Sequence, residues 1–326
     1  MPTLELPALD GHDPLGFLAA LGLQCLLTDE LPDPVRLSFS PLTGRALLDS
    51  PLPDVEAITD VLAGIVARAS DGTAIIGVHD DFPFRPANAA DVKAGRADNQ
   101  KDPIRTPRHL YPALVERTRR CDPRALPWLR AVVTDLAVDK EGRVALTPFC
   151  APSGKQSVRT YFTKPLEEVR RHPAHLHHAL TRWRRTDNFT GEYLDHRVIN
   201  DAAHHPQGQS TERGVPGATW LATQTLPLFT LTGDGHRTLS TLWHHHNNRY
   251  LMIWPLWTHP LTLTPTQTLL NHPHITPTTN APSLHNLTVF TLAAAERKPL
   301  RKSLGPLTPT PWPPPPLRNP KPPQNP

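Results

Sequence analysis

The chain has 326 residues, 38% of them apolar and 20% charged, which describes a globular protein able to bury a core and excludes a fibrous or fully disordered one. Its net charge of +4 hides an asymmetry: the first sixty residues carry ten acids and two bases, a balance of −8, so the rest carry +12 and face different partners. Three well-separated cysteines (Cys25, Cys121, Cys150) with no paired spacing, and a longest apolar run of fourteen residues behind two aspartates, exclude a disulfide framework, a signal peptide and a membrane span, and imply a reducing cytoplasm.

In chain order, Asp13 followed by Pro14 reads as an N-cap with proline at the first helical position. The helix it opens, through Leu27, is apolar on all sides and is expected to be buried. Asp54 caps a second helix, with Val55, Ile58, Val61, Leu62, Ile65 and Val66 on one face. A short strand is predicted over 74–78, a polar surface loop or weak helix over 80–102, and helices over 107–120 and 123–135. Residues 136–138 and 144–149 flank the turn Asp139-Lys140-Glu141-Gly142 and read as a hairpin. Two helical pieces, 165–171 and 173–185, are divided at Pro173. A helix over 216–226 precedes strands over 228–232, 236–243 and 250–257, and a short helix lies near 267–271. The class is α+β: a buried N-terminal helix, a helical middle and C-terminal antiparallel strands, forming one unit over 1–296 with a possible sub-boundary near 150. Residues 297–326, dense in proline, are read as a disordered, extended tail.

The densest chemical signal is Ala151 to Arg185, where eight Lys or Arg stand against two acids and interleave with Tyr161, Phe162 and Trp183. Cations hold phosphates and aromatic faces stack on bases, so the stretch reads as a nucleic-acid surface. Lys155, Arg159, Lys164, Arg170, Arg171, Arg182, Arg184 and Arg185 are assigned to phosphate, and Tyr161 or Phe162 to a base. The competing reading is a solvated basic face beside acidic neighbours. Ser153-Gly154-Lys155-Gln156-Ser157 is too incomplete for a phosphate loop, lacking the first glycine and the hydroxyl residue directly after lysine. No metal or cofactor is expected, because His175 and His178 have no third ligand and His244 to His246 cannot converge on one ion. Glu192, Asp195 and His196 are the best catalytic candidates, with the general acid–base and metal-binding groups of a nuclease. Alternatively, Glu192 and Asp195 simply neutralise Arg184, Arg185 or Arg197.

The opening Leu9-x-Gly11-x-Asp13-Pro14-Leu15-Gly16-Phe17-Leu18-Ala19-Ala20-Leu21-Gly22, the element Pro152 to Ser157, and Val215-Pro216-Gly217-Ala218-x-Trp220-Leu221-Ala222 followed by Trp254-Pro255-Leu256-Trp257 resemble proteins of type I-G CRISPR operons. The resemblance covers most of residues 1–305. It implies a large-subunit-like component of an antiviral surveillance complex, with guide RNA, target DNA and other complex subunits as partners and no catalytic set to carry over. The expectation is therefore a non-catalytic, nucleic-acid-contacting CRISPR subunit. A metal-dependent nuclease using Glu192, Asp195 and His196, and a protein–protein scaffold docking through its acidic N-terminal region, are the alternatives.

Overall fold

The computed structural model describes residues 2–86, 93, 102–150, 157–198, 212–278, 281–300 and 303–311. It is an α+β mix built around one helix. Asp13 takes extended backbone and accepts the Leu15 and Gly16 amides through its side chain, which starts α1 (Pro14–Glu30). Every residue from Pro14 to Gln24 is buried, so α1 needs protein on all sides. On one side lies a three-stranded antiparallel sheet of β1 (Thr3–Asp10), β2 (Arg36–Phe39) and β3 (Arg45–Asp49), in the order β1-β3-β2. Helix α2 (Val55–Ala67) follows, capped by Asp54 and burying Ile58, Leu62, Ile65 and Val66. Residues 74–78, expected as a strand, form turns instead, although Ala74, Ile75 and Val78 are buried.

The middle of the chain supplies α3 (Tyr111–Cys121), α4 (Leu126–Val132) and the hairpin β4 (Val133–Val138) with β5 (Val144–Leu146). Two helices then close one side, α5 (Val158–Arg171) and α6 (Ala174–Thr181). The two-residue strands β6 (Thr186–Asp187) and β7 (Arg213–Gly214) pair with each other. Helix α7 (Pro216–Thr223) is buried throughout and packs against α1 so tightly that a Cβ on Gly22 would overlap the Leu221 carbonyl.

The C-terminal region is a six-stranded antiparallel meander: β8 (Leu231–Gly233), β9 (Thr238–Ser240), β10 (Trp243–His246), β11 (Arg249–Trp257), β12 (Val289–Leu300) and β13 (Ser303–Thr310), with α8 (Leu263–Leu270) between β11 and β12. Strand β10 pairs with β11 only as far as Trp243↔Met252, so Pro255 lies beyond that ladder. The half of β11 left free of β10 carries Trp254 and Trp257 against α1. Their indole N–H groups donate to Gly11 O and Leu37 O, both at 2.8 Å, and their rings pack with Phe17 and Phe39 at centroid distances of 5.0–6.4 Å. The larger sheet is thereby fastened to the smaller one directly, at Leu37 and Phe39 of β2, and also through Phe17 of the helix between them.

The disordered tail expected from Arg297 onward is corrected here. Strand β12 runs through Leu300 and β13 forms the sheet edge, where Pro306 and Pro309 are tolerated because an edge strand has one side without ladder bonds. Leu307 is fully buried, and the Arg297 guanidinium donates to four carbonyls, those of Pro148, Phe149, Tyr193 and Gly305, at 2.7–3.0 Å. Residues 312–326 lie outside the described residues.

Two stability outcomes follow. Gly22→Ala should destabilise by about 1–3 kcal/mol through overpacking against α7. Gly64→Ala, on α2 with nothing within 4 Å of the new Cβ, should stabilise by about 0.5–1 kcal/mol. Denaturant midpoints of the two variants measure both. A chain ending at Glu296 should lose cooperative unfolding by near-ultraviolet circular dichroism while one ending at residue 311 keeps it; equal behaviour would mean that β13 and Arg297 do not hold the sheet.

Candidate nucleic-acid interface

The basic stretch folds into an amphipathic helix and a corner. Ser157 caps α5 by accepting the Thr160 amide and donating its own to Thr160 Oγ1 at 2.7 Å, so the helix begins well before Pro165, which sits inside it. With that start, Val158, Tyr161, Phe162, Pro165, Leu166 and Val169 form one buried stripe. Tyr161 and Phe162 are only 3% and 1% exposed, and Phe162 meets Trp128 edge-on at 5.7 Å. Their assignment as base-stacking residues is thus corrected: they are core.

Several cations are also committed internally. Arg159 is buried and donates to the carbonyls of Pro83 (2.6 Å), Asp80 (3.0 Å) and Gly72, which removes it from any phosphate surface. Arg170 pairs with Asp71 at 3.2 Å, and Arg171 pairs with Glu168 one turn away. Lys164 is half-buried beside Glu192. Lys155 and most of the Ser153–Ser157 element lie outside the described residues.

What remains is the corner after α6. Arg182 and Arg184 are exposed and make no ion pair among the described residues. Arg185 donates to Asp195 Oδ2 at 2.6 Å and to the Arg213 carbonyl at 2.7 Å. Arg197 bridges Asp195 (2.9 Å) and Asp13 (2.6 Å), with its guanidinium 5.1 Å from the half-buried Trp183 ring. Arg213 pairs with Asp187 at 2.6 Å. Five arginines therefore meet three aspartates, leaving an excess of two positive charges carried by Arg182 and Arg184.

The nuclease candidates do not converge. Asp195 and His196 come within 4.8 Å of Asp13, whereas Glu192 is not part of that group. Both oxygens of Asp13 and of Asp195 already accept N–H donors, from Leu15, Gly16 and Arg197 in one case and from Arg197 and Arg185 in the other. A divalent ion would have to displace two arginines. Burial pushes the Asp195 carboxyl up, but Arg197 and Arg185 outweigh it and hold the carboxyl below its usual range; burial raises Asp13 despite Arg197. His196 is lowered by burial and by Arg197, and its Nδ1 lies 3.7 Å from Asp195 without a hydrogen bond. Asp195 thus neutralises Arg185 and Arg197, and Glu192 plays no part in that network.

Glu192 looks the other way, toward Lys164 and the buried Arg297. It sits on three successive left-handed residues, Gly191 (φ 55°), Glu192 (φ 50°) and Tyr193 (φ 55°), a conformation that costs of order 1 kcal/mol or more at each non-glycine position. The turn is held by Tyr193 Oη donating to Glu212 at 2.6 Å and by Arg297 donating to the Tyr193 carbonyl at 3.0 Å. No family model matches the chain, and no curated protein shows significant similarity to it.

Burial raises the Glu192 carboxyl from 4.5 to about 7, with Lys164, Thr190 and Arg297 opposing. The folded state then binds this proton more tightly than the unfolded chain, so its contribution is fully present below about pH 4.5 and is lost as pH rises through about 7. Glu192→Gln should match the wild type near pH 4.5 and exceed its unfolding free energy by about 2–3 kcal/mol near pH 8. A stability difference that does not change with pH would show that the carboxyl is not the titrating group.

Proposed function

We propose that this chain is a nucleic-acid-contacting subunit of a CRISPR-type antiviral ribonucleoprotein, without catalytic activity of its own, working in the cytoplasm. The observation that carries the binding reading is the corner at Arg182 and Arg184: two exposed, uncommitted guanidinium groups next to three more that aspartates hold in fixed positions. Planar guanidinium groups suit phosphate oxygens, and a corner already neutralised at its base spends its surplus charge on an external anion. Trp183 offers a partly exposed ring edge, with its indole N–H donated to the Ala179 carbonyl at 3.2 Å. In this reading sequence is read by guide pairing and the protein touches backbone and duplex shape, which requires cations in position and no base-specific side chains. The CRISPR assignment rests on the resemblance of residues 1–305, and the arginine occupancy of Asp13 and Asp195 favours a binder over a nuclease.

With about three to four phosphates engaged, log K for duplex DNA should fall with a slope near −3 per log unit of salt. Arg182→Ala/Arg184→Ala should reduce the slope by about 2 and weaken binding at low salt, with unchanged thermal stability. Arg171→Ala should change little. Binding that ignores salt, or a double variant that binds like the wild type, removes this interface. Mg²⁺-dependent cutting by the purified chain, abolished by Glu192→Ala/Asp195→Ala, would replace the binder with the nuclease.

A further inference from the structure

Away from the basic corner, the fold gathers a histidine, a carboxylate and a thiol that are far apart in sequence. His79, Asp81 and Cys121 each offer a ligand atom, and these atoms all lie within 4.8 Å of one another. We propose that His79, Asp81 and Cys121 form a surface zinc site, with its fourth position open to water or to a partner's ligand.

The donor set selects the metal. A thiolate, an imidazole and a carboxylate match the sulfur, nitrogen and oxygen ligands of Zn²⁺, whereas Mg²⁺ and Ca²⁺ take oxygen alone. Bonds of about 2.0–2.3 Å in a tetrahedron place ligand atoms roughly 3.3–3.8 Å apart, so the present spacing, within 4.8 Å, needs a closure of at most about 1.5 Å.

The surrounding structure holds the ligands from both sides. Arg159, buried, binds the carbonyls of Gly72, Asp80 and Pro83 and so fixes the turn that carries His79 and Asp81. Asp80 is turned inward onto Ser70 (2.8 Å) and Thr73 (2.6 Å), which leaves its two neighbours on the outside. Cys121 is the last residue of α3, and the next residue, Asp122, accepts the His79 amide at 3.0 Å while pairing with Arg124. The backbone that carries His79 is therefore joined to the helix end that carries Cys121, which fixes their relative placement.

The imidazole gives up little, since its hydrogen bond from the Asp81 amide to Nδ1 is long at 3.2 Å. On binding, the Cys121 S–H bond breaks, its proton passes to solvent and the sulfur lone pair forms the Zn–S bond, with no change of oxidation state.

The eighteen histidines make simple metal uptake uninformative, so the test reads the sulfur. Co²⁺ added to the full chain should give a thiolate-to-cobalt charge-transfer band in the near ultraviolet that saturates at one ion per chain and is displaced by Zn²⁺. Cys121→Ser should abolish the band and Cys25→Ser should keep it, while His79→Ala should weaken cobalt binding by about tenfold or more. On the wild-type chain, Zn²⁺ should slow iodoacetamide alkylation of Cys121 about tenfold by peptide mass spectrometry, a readout that stands even if the serine variant does not fold. A missing band, a band that survives Cys121→Ser, or alkylation of Cys121 indifferent to Zn²⁺ would each overturn the site.

Discussion

A helix with no polar face can exist in water only if the remaining chain encloses it, and the enclosure of α1 is the constraint from which the rest of this architecture follows. The small N-terminal sheet, the buried α7 and the tryptophan-bearing half of β11 each supply one wall. None of the three can be moved without exposing apolar surface at about 25 cal/mol per Å². The helix meets polar groups at its two ends: Glu30 pairs with Arg68 at one, and at the other Asp13 collects two backbone amides and the Arg197 guanidinium. Arg197 in turn holds Asp195, which holds Arg185. The geometry of the basic corner is thus referred, by three consecutive charge-assisted contacts, to the capped end of the buried helix α1.

Two buried arginines, Arg159 and Arg297, do a different job from those at the surface. Each faces carbonyl oxygens instead of a carboxylate, and each joins segments remote in sequence. A guanidinium suits this use because it presents five donors in one plane and keeps its charge when desolvated; burial lowers Arg297 only to about 10. Formal charge therefore overstates what the molecule shows to an anionic partner.

Local signals in the sequence were reliable where a side chain closes its own backbone. Asp13 and Asp54 cap the helices they announce, and Gly142, at φ 72°, occupies the turn of the predicted hairpin. Strands β8, β9 and β11 of the meander were legible as apolar runs between turns, whereas β10 (Trp243–His246) meets the predicted strand over 236–243 only at Trp243 and was missed. The N-terminal sheet was not, because β1 contains Pro7 and lacks clean alternation, so only its pairing with β3 identifies it. Proline misled twice for opposite reasons: Pro165 hid the true start of α5, and Pro306 and Pro309 disguised an edge strand as tail. The start of α5 decided the site as well. Moving it to Val158 turns Tyr161 and Phe162 into a core stripe, a 3.6-residue pattern that counting cations and rings along a line cannot reveal. The convergence of His79 and Asp81 on Cys121 had no sequence signal at all, since it depends on where a turn is pinned by Arg159.

The placement of Trp254 and Trp257 against α1 also has a temporal side. The helix leaves the ribosome first, but the wall that covers Phe17 is made by residues 254–257, and synthesis at about 5–20 residues per second separates the two by roughly ten to fifty seconds. For that interval the largely apolar helix lacks the partner of its Phe17 face. Through that interval the Phe17 face of the helix must be covered by something other than the Trp254 and Trp257 rings, and the exposure of apolar surface by the nascent chain is set by this order of synthesis.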